Sequence, residues 1–122
     1  MQNRFLSSLF IGTVIILGTA YAQTVQKTTT KEVKVPLKLY WSSGRTDNFT
    51  TATSKGEQDA INASYKFVRT MGYINKHPKD GLVPLKLYWS SSRKDNFTTA
   101  TSKGEQDAIN AGYKSVRIMG YI

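Results

Sequence analysis

One stretch of forty residues is written twice. Val35 to Ile74, VPLKLYWSSGRTDNFTTATSKGEQDAINASYKFVRTMGYI, returns from Val83 to Ile122, a period of 48 positions, with five substitutions: Gly44/Ser92, Thr46/Lys94, Ser64/Gly112, Phe67/Ser115 and Thr70/Ile118. Self-similarity at such a period describes one supersecondary unit used more than once. A unit of this size seldom buries enough apolar surface to fold alone, so the two copies are expected to share a core. Matches at positions that packing leaves free point to recent duplication, and identity between the copies is therefore not evidence of function.

Within each copy LKLYW alternates, with Leu37, Leu39 and Trp41 on one side and Lys38 and Tyr40 on the other, the period of a half-buried strand. Pro36 stands at its start, where a missing N–H does least harm. SSGRTDN and its partner SSSRKDN are clusters of turn formers. A second strand is predicted from Phe49 to Thr53, its threonines suited to a pleated surface. Ser54 as N-cap with Glu57 three positions on reads as a capping box, with Asp59 adding negative charge to the first turn. The helix runs to Ala63 and, with only Ala60, Ile61 and Ala63 apolar, lies over a sheet as a cover. Gly112 sits where a left-handed residue would close the helix; Ser64 takes that place in the first copy, at a cost of roughly 1 kcal/mol. The last strand is predicted to place Val68, Thr70, Gly72 and Ile74 on one side and Tyr65, Phe67, Arg69, Met71 and Tyr73 on the other. The expected fold is α+β: two strand-hairpin-helix-strand units packed about a pseudo-twofold.

Ahead of the repeats, residues 1–22 read as a secretory signal. Arg4 precedes an apolar run from Leu6 to Leu17, which ends at Ala20-Tyr21-Ala22. The run is short of the roughly 20 residues a bilayer-crossing helix needs. The expected product is secreted or periplasmic, with no membrane span after signal removal. Residues 23–34 form a flexible lead, 35–74 the first repeat, 75–82 a connector and 83–122 the second repeat. Of the formal charge of +9, Arg4 alone falls in the signal, which leaves +8. This excess is spread evenly and favours solubility and weak attraction to anionic polymers, whether nucleic acid, acidic polysaccharide or an envelope surface, without choosing among them.

Chemistry is sparse. There is no cysteine and a single histidine, His77, in the connector; no metal or cofactor site follows from such a set. Asp47, Glu57 and Asp59, repeated as Asp95, Glu105 and Asp107, could supply an acid and a base for glycoside hydrolysis. Turns and helix starts account for all six, and the chain is read as non-catalytic. Basic residues interleave with aromatics, as in Tyr65-Lys66-Phe67, but no nucleic-acid motif accompanies them, and nucleic acid is not expected as a partner. Asn48 and Asn96 begin formal glycosylation sequons.

The aromatic residues carry the functional expectation. With Trp41 in step with Leu37 and Leu39, the tryptophan is expected inward and Tyr40 outward. Tyr40, Arg45, Asp47 and Asn48, with Tyr88, Arg93, Asp95 and Asn96, would then combine a stacking face with convergent polar groups that suit a sugar ring or a peptide. The competing reading packs the tyrosines between the repeats. Exposed strand edges open a second route, self-association into an envelope or matrix component.

The residues Tyr40-Trp41, Asp47-Asn48-Phe49, Thr50 to Thr53, Gly56-Glu57, Arg69 and Gly72-Tyr73, with their partners 48 positions on, give the repeat a resemblance. It is similar to short repeats of unknown function found in tandem in secreted bacterial and fungal proteins, often beside hydrolases or adhesive domains. What the resemblance implies is an accessory module that binds carbohydrate or a cell-surface polymer. This chain departs from that arrangement in having only two copies and no attached catalytic domain.

Overall fold

The structure, a computed structural model, describes residues 31–122. The signal and most of the lead lie outside the described residues. The first repeat forms β1 (Lys34–Ser42), β2 (Asp47–Thr51), α1 (Ser54–Asn62) and β3 (Lys66–Asn75). The second forms β4 (Pro84–Ser90), β5 (Asp95–Thr99), α2 (Ser102–Asn110) and β6 (Lys114–Tyr121). One antiparallel six-stranded sheet, in the order β2-β1-β3-β6-β4-β5, carries the two helices, so the fold is α+β.

The hairpins form as the turn chemistry predicts. In the first, Lys38 to Ser42 pair with Thr51 to Asp47, and the tight connection places Thr46 at φ 54°, with Lys94 at φ 57° in the second. The Ser42 hydroxyl accepts from the amide of Arg45 at 3.1 Å and so pins the turn. Pro36 lies inside β1, beyond the end of β2, where the strand has β3 as its one neighbour and an N–H is least needed.

The strict alternation predicted for the last strand does not hold. Against β1, the partner of Leu37 is Gly72 and that of Lys38 is Thr70; Leu39 pairs with Arg69 and Tyr40 with Phe67. Met71 and Val68 are the extra residues of two bulges, and each bulge reverses the side on which later residues fall. Arg69 therefore shares the face of Leu39, while Phe67 shares that of Tyr40 and meets its ring edge-on at 5.6 Å. The same two shifts recur between β4 and β6.

Both helices begin one residue earlier than the capping box implied. Thr53, in extended backbone, is the N-cap, and its hydroxyl accepts from the amide of Gly56 at 3.0 Å. Glu57 is thereby released to pair with Lys38 on β1 at 2.8 Å, and Glu105 pairs with Lys86 at 2.7 Å. Asp59 lies past the first turn and joins Lys55 at 2.6 Å. The left-handed residue after each helix is present as expected, with Ser64 at φ 65° and Gly112 at φ 85°.

The core joins the copies. Tyr40, Phe49, Ala60, Tyr65 and Ile74 from the first repeat cluster with Leu85, Leu87 and Met119 from the second. Equivalent residues do not share this fate: Met119 is 3% exposed and Met71 45%. A side chain added at Gly120 would lie 2.5 Å from Ile74 Cδ1 and 2.8 Å from the Asn75 carbonyl, whereas Gly72 faces open space.

These contacts set two expectations for urea unfolding. Gly120→Ala is expected to cost about 1–3 kcal/mol through overpacking, and Gly72→Ala less than about 0.5 kcal/mol. Ser64→Gly should raise stability by about 0.5–1 kcal/mol, because it relieves the left-handed backbone, and Gly112→Ser should lower it by a similar amount.

Candidate binding cleft between the repeats

The turn after β1 and the N-terminus of β2 bring the predicted polar residues of the first repeat against the second. Asp47 is buried, and its Oδ2 accepts three hydrogen bonds: from the Tyr65 hydroxyl at 2.6 Å, from the Asn96 amide nitrogen at 3.1 Å and from Asn96 Nδ2 at 2.9 Å. Asn96 Nδ2 also reaches the Tyr65 oxygen at 3.1 Å. A buried carboxylate is costly unless such donors replace water, and here they come from both copies. Burial, followed by the hydrogen bond to Asp47, pushes the Tyr65 phenol up to about 12, so the tyrosine remains a donor across the whole neutral range.

Beside this clasp, the Arg45 guanidinium lies 5.6 Å from the Tyr65 ring centre and 5.2 Å from that of Trp89. On the far side of the junction, Arg117 of β6 reaches back to Asp59 of α1, 2.7 Å from Nη2 to Oδ2. Lys55, held first by its hydrogen bond, and then Arg117 keep the Asp59 carboxyl below its usual range. Between these anchors is a cavity of about 250 Å³, lined by Arg45, Phe49, Asp59, Ala63, Tyr65, Leu87, Trp89, Asn96 and Val116. Aromatic walls with a few polar groups at the rim are the usual composition of a small-ligand site.

The predicted residues divide. Arg45, Asp47 and Asn96 meet at the junction, and Asn48 is exposed on the opposite face of β2. Arg93 stacks on Tyr113 at 5.7 Å and Asp95 accepts from the Tyr113 hydroxyl at 2.7 Å. Among the described residues that second set repeats the first without a partner corresponding to Asn96. Its hydrogen bond to Asp95 raises the Tyr113 phenol as well.

Tyr40 and Tyr88 do not take the predicted outward position. They are 6% and 5% exposed, while Trp41 is 37% exposed and Trp89 half-buried at the cleft. The reason is the helix. It lies over the side carrying Lys38 and Tyr40, as the Lys38–Glu57 pair shows, and this side is the inner one. The tyrosines of the clusters are Tyr65 and Tyr113, one residue past the left-handed helix exit. Their position just after Ser64 and Gly112 is the sequence signal that would have found them.

The arrangement defines an α+β two-unit domain whose polar cluster fastens one unit to the next. The chain belongs to the family described as Domain of unknown function (DUF5648), which matches residues 15–122. No curated protein and no solved structure matches it. Among the described residues no helix is long and apolar enough to cross a membrane.

The asymmetry of the two clusters gives a direct comparison. Asp47→Ala leaves the Tyr65 hydroxyl and the Asn96 backbone N–H without an acceptor and is expected to cost about 2–4 kcal/mol, against about 1 kcal/mol for Asp95→Ala. The raised Tyr65 phenol makes the native state bind its proton more tightly than the unfolded chain does. Its contribution is complete below about pH 10, the ordinary tyrosine value, and is lost as pH rises through about 12. Ultraviolet titration of the phenolates should show one tyrosine ionising near pH 12, and that step should vanish in Tyr65→Phe.

Proposed function

We propose that the protein is a non-catalytic binding module of an exported protein, which holds one ring of a carbohydrate or cell-surface polymer in the cleft between its repeats. The observation that carries this reading is the joint position of Trp89 and Arg45. An indole and a guanidinium line one side of the cavity, with Asn96 and Asp59 at its polar edge. A flat apolar surface with oriented donors and acceptors matches the two faces and hydroxyl rim of a sugar. The small volume favours a single ring over a long segment, so a polymer would be read one residue at a time.

The carboxylates support the non-catalytic half of this reading. Asp47 Oδ2 is committed to three donors, Glu57 and Glu105 to lysines, and Asp59 to Lys55 and Arg117. A general acid would need one carboxyl kept protonated beside a second one free to act, and every candidate here is drawn into a structural contact. The strand order is palindromic about the single β3–β6 pair, Asn75 with Tyr121, but this backbone symmetry, in line with the pseudo-twofold expected for the two units, does not extend to the packing. The side-chain contacts across the junction run one way.

Screening against neutral and acidic glycans and peptidoglycan fragments tests the proposal. Binding is expected in the millimolar to micromolar range, weakened about tenfold or more by Arg45→Gln and by Trp89→Ala. Loss of neither side chain affecting a detected ligand, or no glycan bound at all, overturns it.

A further inference from the structure

The junction between the two copies is heterologous, and this leaves both of its halves repeated and unused. One half, the front, belongs to the first repeat: Arg45, Asp47, Asp59 and Tyr65. The other, the back, belongs to the second: Leu87, Trp89, Asn96 and Arg117. They meet through Arg117 on Asp59, Asn96 on Asp47 and Arg45 over Trp89. Because the sequence is duplicated, the second repeat carries the same front at Arg93, Asp95, Asp107 and Tyr113, and the first the same back at Leu39, Trp41, Asn48 and Arg69.

Neither spare half is engaged in this way. Leu87 is 2% exposed in the junction, whereas Leu39 is half-buried; Trp41, Asn48 and Arg69 are all exposed. On the spare front, Asp107 is exposed and, among the described residues, holds only its neighbour Lys103 at 2.7 Å, where Asp59 holds Arg117 as well. Among the described residues Asp95 has Tyr113 alone, where Asp47 gains Asn96. The two spare surfaces are complementary in charge, Arg69 against Asp107, and in shape, because the same residues already dock on one another inside the chain. A self-complementary twofold junction would consume both copies of each half at once. A one-way junction cannot, and surfaces of this kind join molecules into rings or open chains.

We propose that the protein associates head to tail with a second copy of itself, the front of one molecule's second repeat docking on the back of another's first repeat in the geometry of the internal junction. Arg69 would pair with Asp107 as Arg117 pairs with Asp59, and Arg93 would lie over Trp41 as Arg45 lies over Trp89. The inference rests on the internal junction and not on any ligand of the cleft.

Sedimentation of the full chain over a wide concentration range tests it. The mass is expected to rise with concentration, and Arg69→Asp or Asp107→Arg alone should weaken association about tenfold or more by placing like charges opposite one another. The double variant Arg69→Asp/Asp107→Arg should recover it. A mixture of the two single variants should recover association too, with the variants alternating, because each presents opposite charges only to the other at both of its surfaces. Both positions are exposed, and unchanged unfolding midpoints would show that the variants fold. A monomer at every concentration up to about 1 mM, where even weak contacts are populated, overturns the proposal. So does association indifferent to both single changes, or single variants that fail to pair when mixed.

Discussion

One oxygen atom, Oδ2 of Asp47, holds the two halves of the molecule in register. It is buried, charged and at the start of an edge strand, and it is stable there only because three donors converge on it. Tyr65 comes from the end of the helical segment of the same repeat. Asn96 comes from the opposite edge strand and donates both its side chain and its backbone N–H. β2 and β5 are the outermost strands of the sheet, with no ladder between them, and Asn96 closes one unpaired edge amide onto the carboxylate. An edge that could recruit a foreign strand is in this way partly satisfied from within.

The clasp matters because the main buried cluster spans both repeats. The buried cluster draws its aromatic residues from the first copy and Leu85, Leu87 and Met119 from the second. One sequence thus performs two tasks. As the first copy it presents the side with Phe49, Tyr65 and α1; as the second it presents the side with Leu87, Trp89 and Arg117. Each copy must be competent on both sides, although only one side of each is used inside the chain. The near-identity of the repeats conceals this division of labour, which appears only as a difference in burial between equivalent positions.

Local features were legible in proportion to how local their causes are. The hairpin turns follow from Ser, Asp and Asn in a row, and the left-handed exits at Ser64 and Gly112 from the end of the helix. The order of elements within a unit follows from changes of period. The helix start moved from Ser54 to Thr53 because two adjacent hydroxyls compete for one role, and the extended backbone of Thr53 suits it better. The candidate site was legible in part: Arg45, Asp47 and Asn96 do converge, but Tyr65 stands where Tyr40 was expected. That error has a single physical origin. Alternation shows which residues share a face and not which face is inner, and the helix covers the tyrosine side.

By itself the sequence determined the repeated unit, its α+β character, the places where the chain must turn, and the need for two copies to pool apolar surface. All of these depend on residues within a few positions of one another or on chain length. The tertiary structure alone decided which face each strand buries, where two bulges shift the register of the last strand, and that the copies meet front to back. Those outcomes depend on contacts between residues tens of positions apart, such as Arg117 with Asp59 and Asn96 with Asp47, and two nearly identical forty-residue texts cannot say which of their identical surfaces will be used.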